Sequence, residues 1–163
     1  MRVVEFATFE KFGKLPRSSD KKTIELDVVP SDAKLVFISH RWLRPHADAK
    51  IAHPDDENAS KHMLVCTGIQ KLAQEKKWST HQVYLWLDFC GVEQDDDVLL
   101  KAGVASLRGY ISLCDAVLIP SPKVPDEMCE KTVDKIAGGY GDRAWTRLES
   151  MSFYTVRKIG NQC

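Results

Sequence analysis

The chain's 163 residues, 44% apolar and 28% charged, suffice for one domain with a core of its own. Its 23 basic and 23 acidic side chains cancel, which disfavours a basic-stripe nucleic-acid binder and any global pull toward an acidic membrane. No stretch approaches the roughly 20 apolar residues of a membrane span, Met1-Arg2-Val3-Val4-Glu5 puts charge where a secretory leader is apolar, and the five cysteines form no C-x-x-C, so a cytoplasmic protein with reduced thiols is expected.

In chain order, Val3–Phe9 and Thr23–Val29 read as short strands, the second with one wet face, around a loop at Gly13–Asp20. Leu35–Ser39 is continuously apolar, as a strand covered on both faces is, and it ends in His40-Arg41-Trp42. Asp48–Ser60 reads as a polar loop. Lys61 to about Lys77 then carries an approximate amphipathic stripe and is expected to be a helix. Val83–Asp88 is a second strong strand, followed by the acidic loop Glu93–Asp97, a helix from about Val98 to Leu113 and a third strand, Ala116–Pro120. Gly138–Asp142 is a turn whose Asp142 is placed to cap a helix over Arg143–Met151. In that helix Trp145 and Glu149 stand four apart, on one face.

Strands alternating with helices at this spacing predict an α/β fold with an open, mainly parallel, doubly wound sheet and helices on both faces. Right-handed crossovers bring the three strand C-termini to one edge, where such sheets bind ligands. Ser39–Trp42, Asp88–Gly91 and Pro120–Pro122 fall on that edge, within reach of Tyr140–Glu149.

Phe37-Ile38-Ser39-His40-Arg41 at the first strand, Leu87-Asp88 before the acidic loop, the small and proline turn after Ala116, and then Trp145 and Glu149 occur in an order that resembles a Toll/interleukin-1 receptor (TIR) domain. The start and the W-x-x-x-E end look closest to the TIR-like modules of microbes, algae and oomycetes. The resemblance spans roughly Leu35 to Ser152 and implies a flavodoxin-like sheet in a TIR-like domain over residues 35–163. Residues 1–34 are then a strand-containing extension. The short remainder after Glu149 has no room for the last two strands of a full TIR sheet. Either the chain is a piece of something longer, or the N-terminal strands cover the exposed edge.

Enzymatic members of the family cleave NAD at the nicotinamide–ribose bond, some cyclising the product. The leaving group is a cationic pyridinium that departs neutral, so no general acid is required, unlike ordinary glycoside hydrolysis. One carboxylate that accepts from the ribose hydroxyls and stabilises the developing oxocarbenium is enough, and Glu149 is the candidate. Trp145 either shields that site or anchors its helix in the core. Arg41 pairs with the pyrophosphate or with a structural carboxylate, and Trp42 stacks on a ring or packs. Asp88, at a strand end, bonds ribose or caps the following turn; His40, after the first strand, is a candidate contact, and Phe89 and Tyr140 are candidate ring contacts. NAD is expected as substrate, with no resident cofactor.

The segment 92–100, an acidic loop at Glu93–Asp97 with Val92 before it and Val98-Leu99-Leu100 after, corresponds to the self-association surface of such domains, unless Leu99 and Leu100 begin a core-facing helix. A metal set of His40, His46, His53 and Asp55 matches no standard spacing, so no metal is expected. Cys90 with His40 as a nucleophile pair lacks any flanking signature, and no Walker A or G-x-G-x-x-G pattern occurs. The reading is therefore an NAD glycohydrolase or cyclase module of an immune or cell-death pathway. Its alternatives are a non-catalytic TIR interaction module and a nucleoside-processing transferase on a similar sheet.

Overall fold

The computed structural model describes residues 1–40, 42–44, 46 and 51–120. The elements are β1 (Arg2–Glu5), α1 (Phe6–Phe12), β2 (Ile24–Glu25), β3 (Lys34–Ile38), α2 (Ser60–Lys76), β4 (Val83–Trp86), α3 (Asp88–Gly91), α4 (Asp97–Ala105), α5 (Leu107–Ser112) and β5 (Ala116–Leu118). Among the described residues these strands form one sheet in the order β2-β1-β4-β3-β5. β4, β3 and β5 are parallel, whereas β1 joins β4 antiparallel and carries β2 antiparallel on its other side. The general α/β expectation holds, with an antiparallel N-terminal edge on a parallel centre.

The period-two alternation of strands divides the core between the two faces of the sheet. Val4, Val36, Ile38, Val83, Leu85 and Leu87 face one layer, filled by Phe6 and Phe9 of α1 and by Val65 and Ile69 of α2. Val3, Phe37, Tyr84 and Trp86 face the other, filled by Leu107 and Ile111 of α5. Phe37 and Trp86 stack with centroids 4.6 Å apart. Helices thus cover both faces, which explains why β3 and β4 read as unbroken apolar runs.

Four local expectations need correction. Val3–Phe9 is not one strand: β1 ends at Glu5, and Phe6 and Phe9 turn onto the one face of a helix. Gly13 stops that helix in a left-handed conformation (φ 75°), its N–H bonding Glu10 O. Thr23–Val29 pairs only through Ile24–Glu25 before a tight 3-10 turn at Leu26–Val28. The second central strand stops at Trp86, and Asp88 opens the short helix α3. The helix expected over Val98–Leu113 is two, parted at Ser106, whose hydroxyl bonds back to Ala102 O at 2.9 Å.

Helix α2 follows its predicted bounds within a residue, and its start is capped from outside. Asp55 Oδ1 accepts from Lys61 N (2.8 Å) and Oδ2 from His62 N (2.9 Å), while Asp56 Oδ1 accepts from Ser60 N (2.9 Å). Two carboxylates thereby satisfy the first three orphan N–H groups and complement the helix dipole. The described residues contain no helix long and apolar enough to cross a membrane.

Candidate functional site

Because β3 and β4 are parallel neighbours, the residues just after each come out side by side. His40 and Trp42 follow β3, and Asp88 follows β4. His40 Nε2 lies 2.9 Å from Asp88 Oδ1, and Trp42 Nε1 donates to Asp88 Oδ2 at 2.8 Å. Withdrawal from water works against the Asp88 charge, but His40, the indole N–H and the Phe89 backbone N–H outweigh it and hold the carboxyl below its ordinary range. An ionised carboxylate only accepts, so His40 must carry its proton on Nε2 and donate it. The His40 side chain is 2% exposed and that of Asp88 40%. His40 Nδ1, also buried, has no hydrogen-bond partner among the described residues.

Beneath this pair lies Phe89, 2% exposed. Trp42 meets its ring edge-on at 5.4 Å and His53 does so at 5.0 Å. The Arg17 guanidinium stands 5.5 Å from its centroid and also pairs with Asp95 at 2.7 Å. His53 arrives there through a short antiparallel bridge to Arg44, with N–O distances of 3.0 and 3.1 Å. Its Nδ1 lies 3.0 Å from Asp55 N and 3.1 Å from Asp55 O, so it accepts from the first when unprotonated and donates to the second when protonated. Burial pushes the His53 pKa down, aided by Arg44 and Lys14 and opposed by Asp55.

The expected residues divide clearly. His40, Trp42 and Asp88 converge in one hydrogen-bonded cluster, with Asp88 opening a helix as well as binding its two neighbours. Phe89, expected as a ring contact, is a covered platform for Trp42, His53 and Arg17. Arg41, Tyr140, Trp145 and Glu149 lie outside the described residues. Arg17 is not a site residue in the sequence reading and His53 enters it only as a possible metal ligand; both reach Phe89 by tertiary contact, and neither stands in a local pattern that shows it.

Two rival chemistries find no geometry among the described residues. Cys90 is buried and points its thiol at Leu87 O, and burial together with the Asp88 charge pushes its pKa up to about 12. That is an inert thiol at neutral pH. Asp55 is committed to capping α2, and among the described residues no three His, Cys, Asp or Glu side chains are grouped to hold a metal ion. Comparisons with protein-family models, with curated proteins and with solved structures give no significant match, so the arrangement of residues itself must carry the functional argument.

Proposed function

We propose that the chain is a TIR-like domain that cleaves the nicotinamide–ribose bond of NAD, as a glycohydrolase or cyclase. The observation that carries this reading is Asp88. Two donors on its buried side, His40 and Trp42, fix its orientation, while 40% of the side chain meets solvent beside the strand ends. A carboxylate has about four lone-pair sites and the Phe89 backbone N–H takes a third, so one remains to accept from a ribose hydroxyl. The parallel strands lie in the order second–first–third, which supports a flavodoxin-like sheet whose ligand crevice opens at the C-terminal strand ends. In this reading Arg41 pairs with the pyrophosphate, Tyr140 contacts a ring and Trp145 walls the site. Glu149 stabilises the oxocarbenium as neutral nicotinamide leaves.

The test is chromatography of NAD products from purified protein at low and high concentration. Glu149→Ala should abolish turnover with an unchanged melting temperature; wild-type turnover in that variant would refute the assignment. A second reading, a non-catalytic interaction module, is favoured by α4. Its Val98 and Leu99 are 75% and 54% exposed, while Leu100 packs half-buried against the core. Val98→Glu is the fitting probe. Asp96 is not, because its side chain caps α4 by accepting from the N–H groups of Val98 and Leu99. Concentration-dependent mass without NAD turnover, lost in Val98→Glu, would favour the module.

A further inference from the structure

Between α1 and β2 a chain of zero net charge concentrates positive side chains. Lys11, Lys14, Lys21 and Lys22 are exposed there, with Asp20 as the single acid and Arg17 between them. None of the four lysines forms an ion pair among the described residues. The Phe12 ring gathers two of them, the ammonium groups of Lys14 and Lys22 standing 5.3 and 5.2 Å from its centroid. Both ends of the segment are thus held at one point.

The neighbouring charged surface has the opposite sign. Arg17 pairs with Asp95 at 2.7 Å and Ser18 Oγ donates to Glu93 at 3.1 Å, so the tip of the basic segment touches the acidic loop 93–97. That contact matches only Arg17 with Asp95. Asp96 and Asp97 are exposed and form no ion pair among the described residues. Exposed Val98 and Leu99 follow, and Leu99 lines one cavity together with Ser18 and Glu93. The basic segment, the acidic loop and the apolar start of α4 therefore adjoin one another.

With Arg17 and Asp95 matched, the four lysines less Asp20 leave three positive charges, and Glu93, Asp96 and Asp97 leave three negative ones. A surface with a positive and a negative half side by side is complementary to its own copy turned about a two-fold axis. The rotation sets the lysines of each copy against the acidic loop of the other, so every attraction occurs twice. Val98 and Leu99 add the apolar groups that charged rims of protein contacts surround. We propose that this surface pairs two copies of the chain as an isologous dimer, residues 11–22 of each facing loop 93–97 of the other. The basic half lies before Leu35, outside the part of the chain that resembles a TIR domain. The proposal rests on α4 as a contact surface, as in the second reading above, and is independent of NAD turnover.

Sedimentation velocity of the full chain at low salt should show monomer passing to dimer, and no further, as concentration rises. The dissociation constant should rise about tenfold between about 0.05 and 0.5 M salt, because the charges that meet are exposed. Lys14→Glu/Lys22→Glu acts at both symmetric contacts and should weaken the dimer about a hundredfold. Asp95→Lys/Asp97→Lys should weaken it as well; Asp96 is left in place because it caps α4. Mixed in equal amounts, the two variants should form a heterodimer tighter than either homodimer, since the acidic loop of the first meets the basic segment of the second. Circular dichroism checks that each variant is folded, and the salt series on the unaltered chain stands if one is not. A monomer at every concentration, growth beyond the dimer, a dimer indifferent to salt, or no rescue on mixing folded variants would overturn the proposal. Association lost in Val98→Glu but kept in Lys14→Glu/Lys22→Glu would preserve the second reading and overturn this one.

Discussion

Asp88→Asn isolates the cluster at the strand ends. The amide keeps the size of the carboxylate but offers one acceptor oxygen to two donors, His40 Nε2–H and Trp42 Nε1–H. If its oxygen takes His40, its NH2 opposes the indole N–H. If its oxygen takes Trp42, its NH2 can donate to Nε2 only when the imidazole proton moves to Nδ1, where no partner waits among the described residues. Either arrangement strands one N–H. Such a group costs about 1–3 kcal/mol, and solvent at the partly exposed carboxylate screens the lost charge, so we expect about 2 kcal/mol. Urea unfolding at pH 7 followed by tryptophan fluorescence should show a midpoint about 1 M lower at constant slope. The folded carboxyl titrates below its ordinary 3.8, so its contribution is complete above that value and disappears as the pH falls through the folded pKa. The gap between wild type and variant should close there. In a Trp42→Phe background the same substitution should cost about 1 kcal/mol less, because the donor it strands is gone. Equal midpoints for wild type and Asp88→Asn, or strict additivity with Trp42→Phe, would refute the hydrogen-bonded cluster.

His53 gives a pH signature of opposite range. Its folded pKa lies below the ordinary 6.5, so its stabilising contribution is complete above 6.5 and is lost as the pH falls toward the folded value. His53→Phe should flatten the decline in stability just below pH 6.5 in a melting series; an unchanged slope would count against the half-buried neutral ring. Asp55→Ala strips the N–H groups of Lys61 and His62 of their acceptor and should destabilise by about 2 kcal/mol, read by urea unfolding. Gly91→Ala puts a methyl 2.8 Å from Trp86 Nε1 and 3.1 Å from Arg2 O, and should cost about 1–3 kcal/mol by overpacking, read by the same assay.

The central strands were legible because burial on both faces leaves unbroken apolar runs, and β3, β4 and β5 fall where those runs lie. The N-terminal elements were not. Val3-Val4-Glu5-Phe6 carries strand character, but the spacing of Phe6 and Phe9 serves a helix that packs on the same core, and Gly13 ends it. The break at Ser106 escaped a periodicity reading, since both helices carry apolar residues while α5 buries Leu107 and Ile111 and α4 reaches the core only with half-buried Leu100. The meeting of His40, Trp42 and Asp88 followed from parallel strand ends alone. The places of Arg17 and His53 did not, because each reaches Phe89 through a fold-wide contact that no local pattern announces.

Residues 1–34, set apart in the sequence as an extension, take part in both the sheet and the site. β1 pairs along the outer side of β4, and Phe6, Phe9 and Leu15 share the core cluster with Val36 and Leu85. Leu15 is 1% exposed, which anchors the chain just before Arg17 and Ser18. The Arg17–Asp95 pair is largely exposed on its acidic side and contributes little by itself. More of the hold comes from Ser18, whose hydroxyl donates to Glu93 at 3.1 Å and accepts from Gln94 N at 3.1 Å. The Gln94 side chain then reaches back, donating to Asp88 O at 3.0 Å and Val92 O at 3.1 Å. A continuous path of hydrogen bonds therefore runs from the N-terminal segment through the acidic loop to the backbone of Asp88. The carboxylate that faces solvent at the strand ends is fixed by its own two donors on one side and by this path on the other. Its orientation is thus a property of the whole sheet edge, and not of the β4–α3 turn alone.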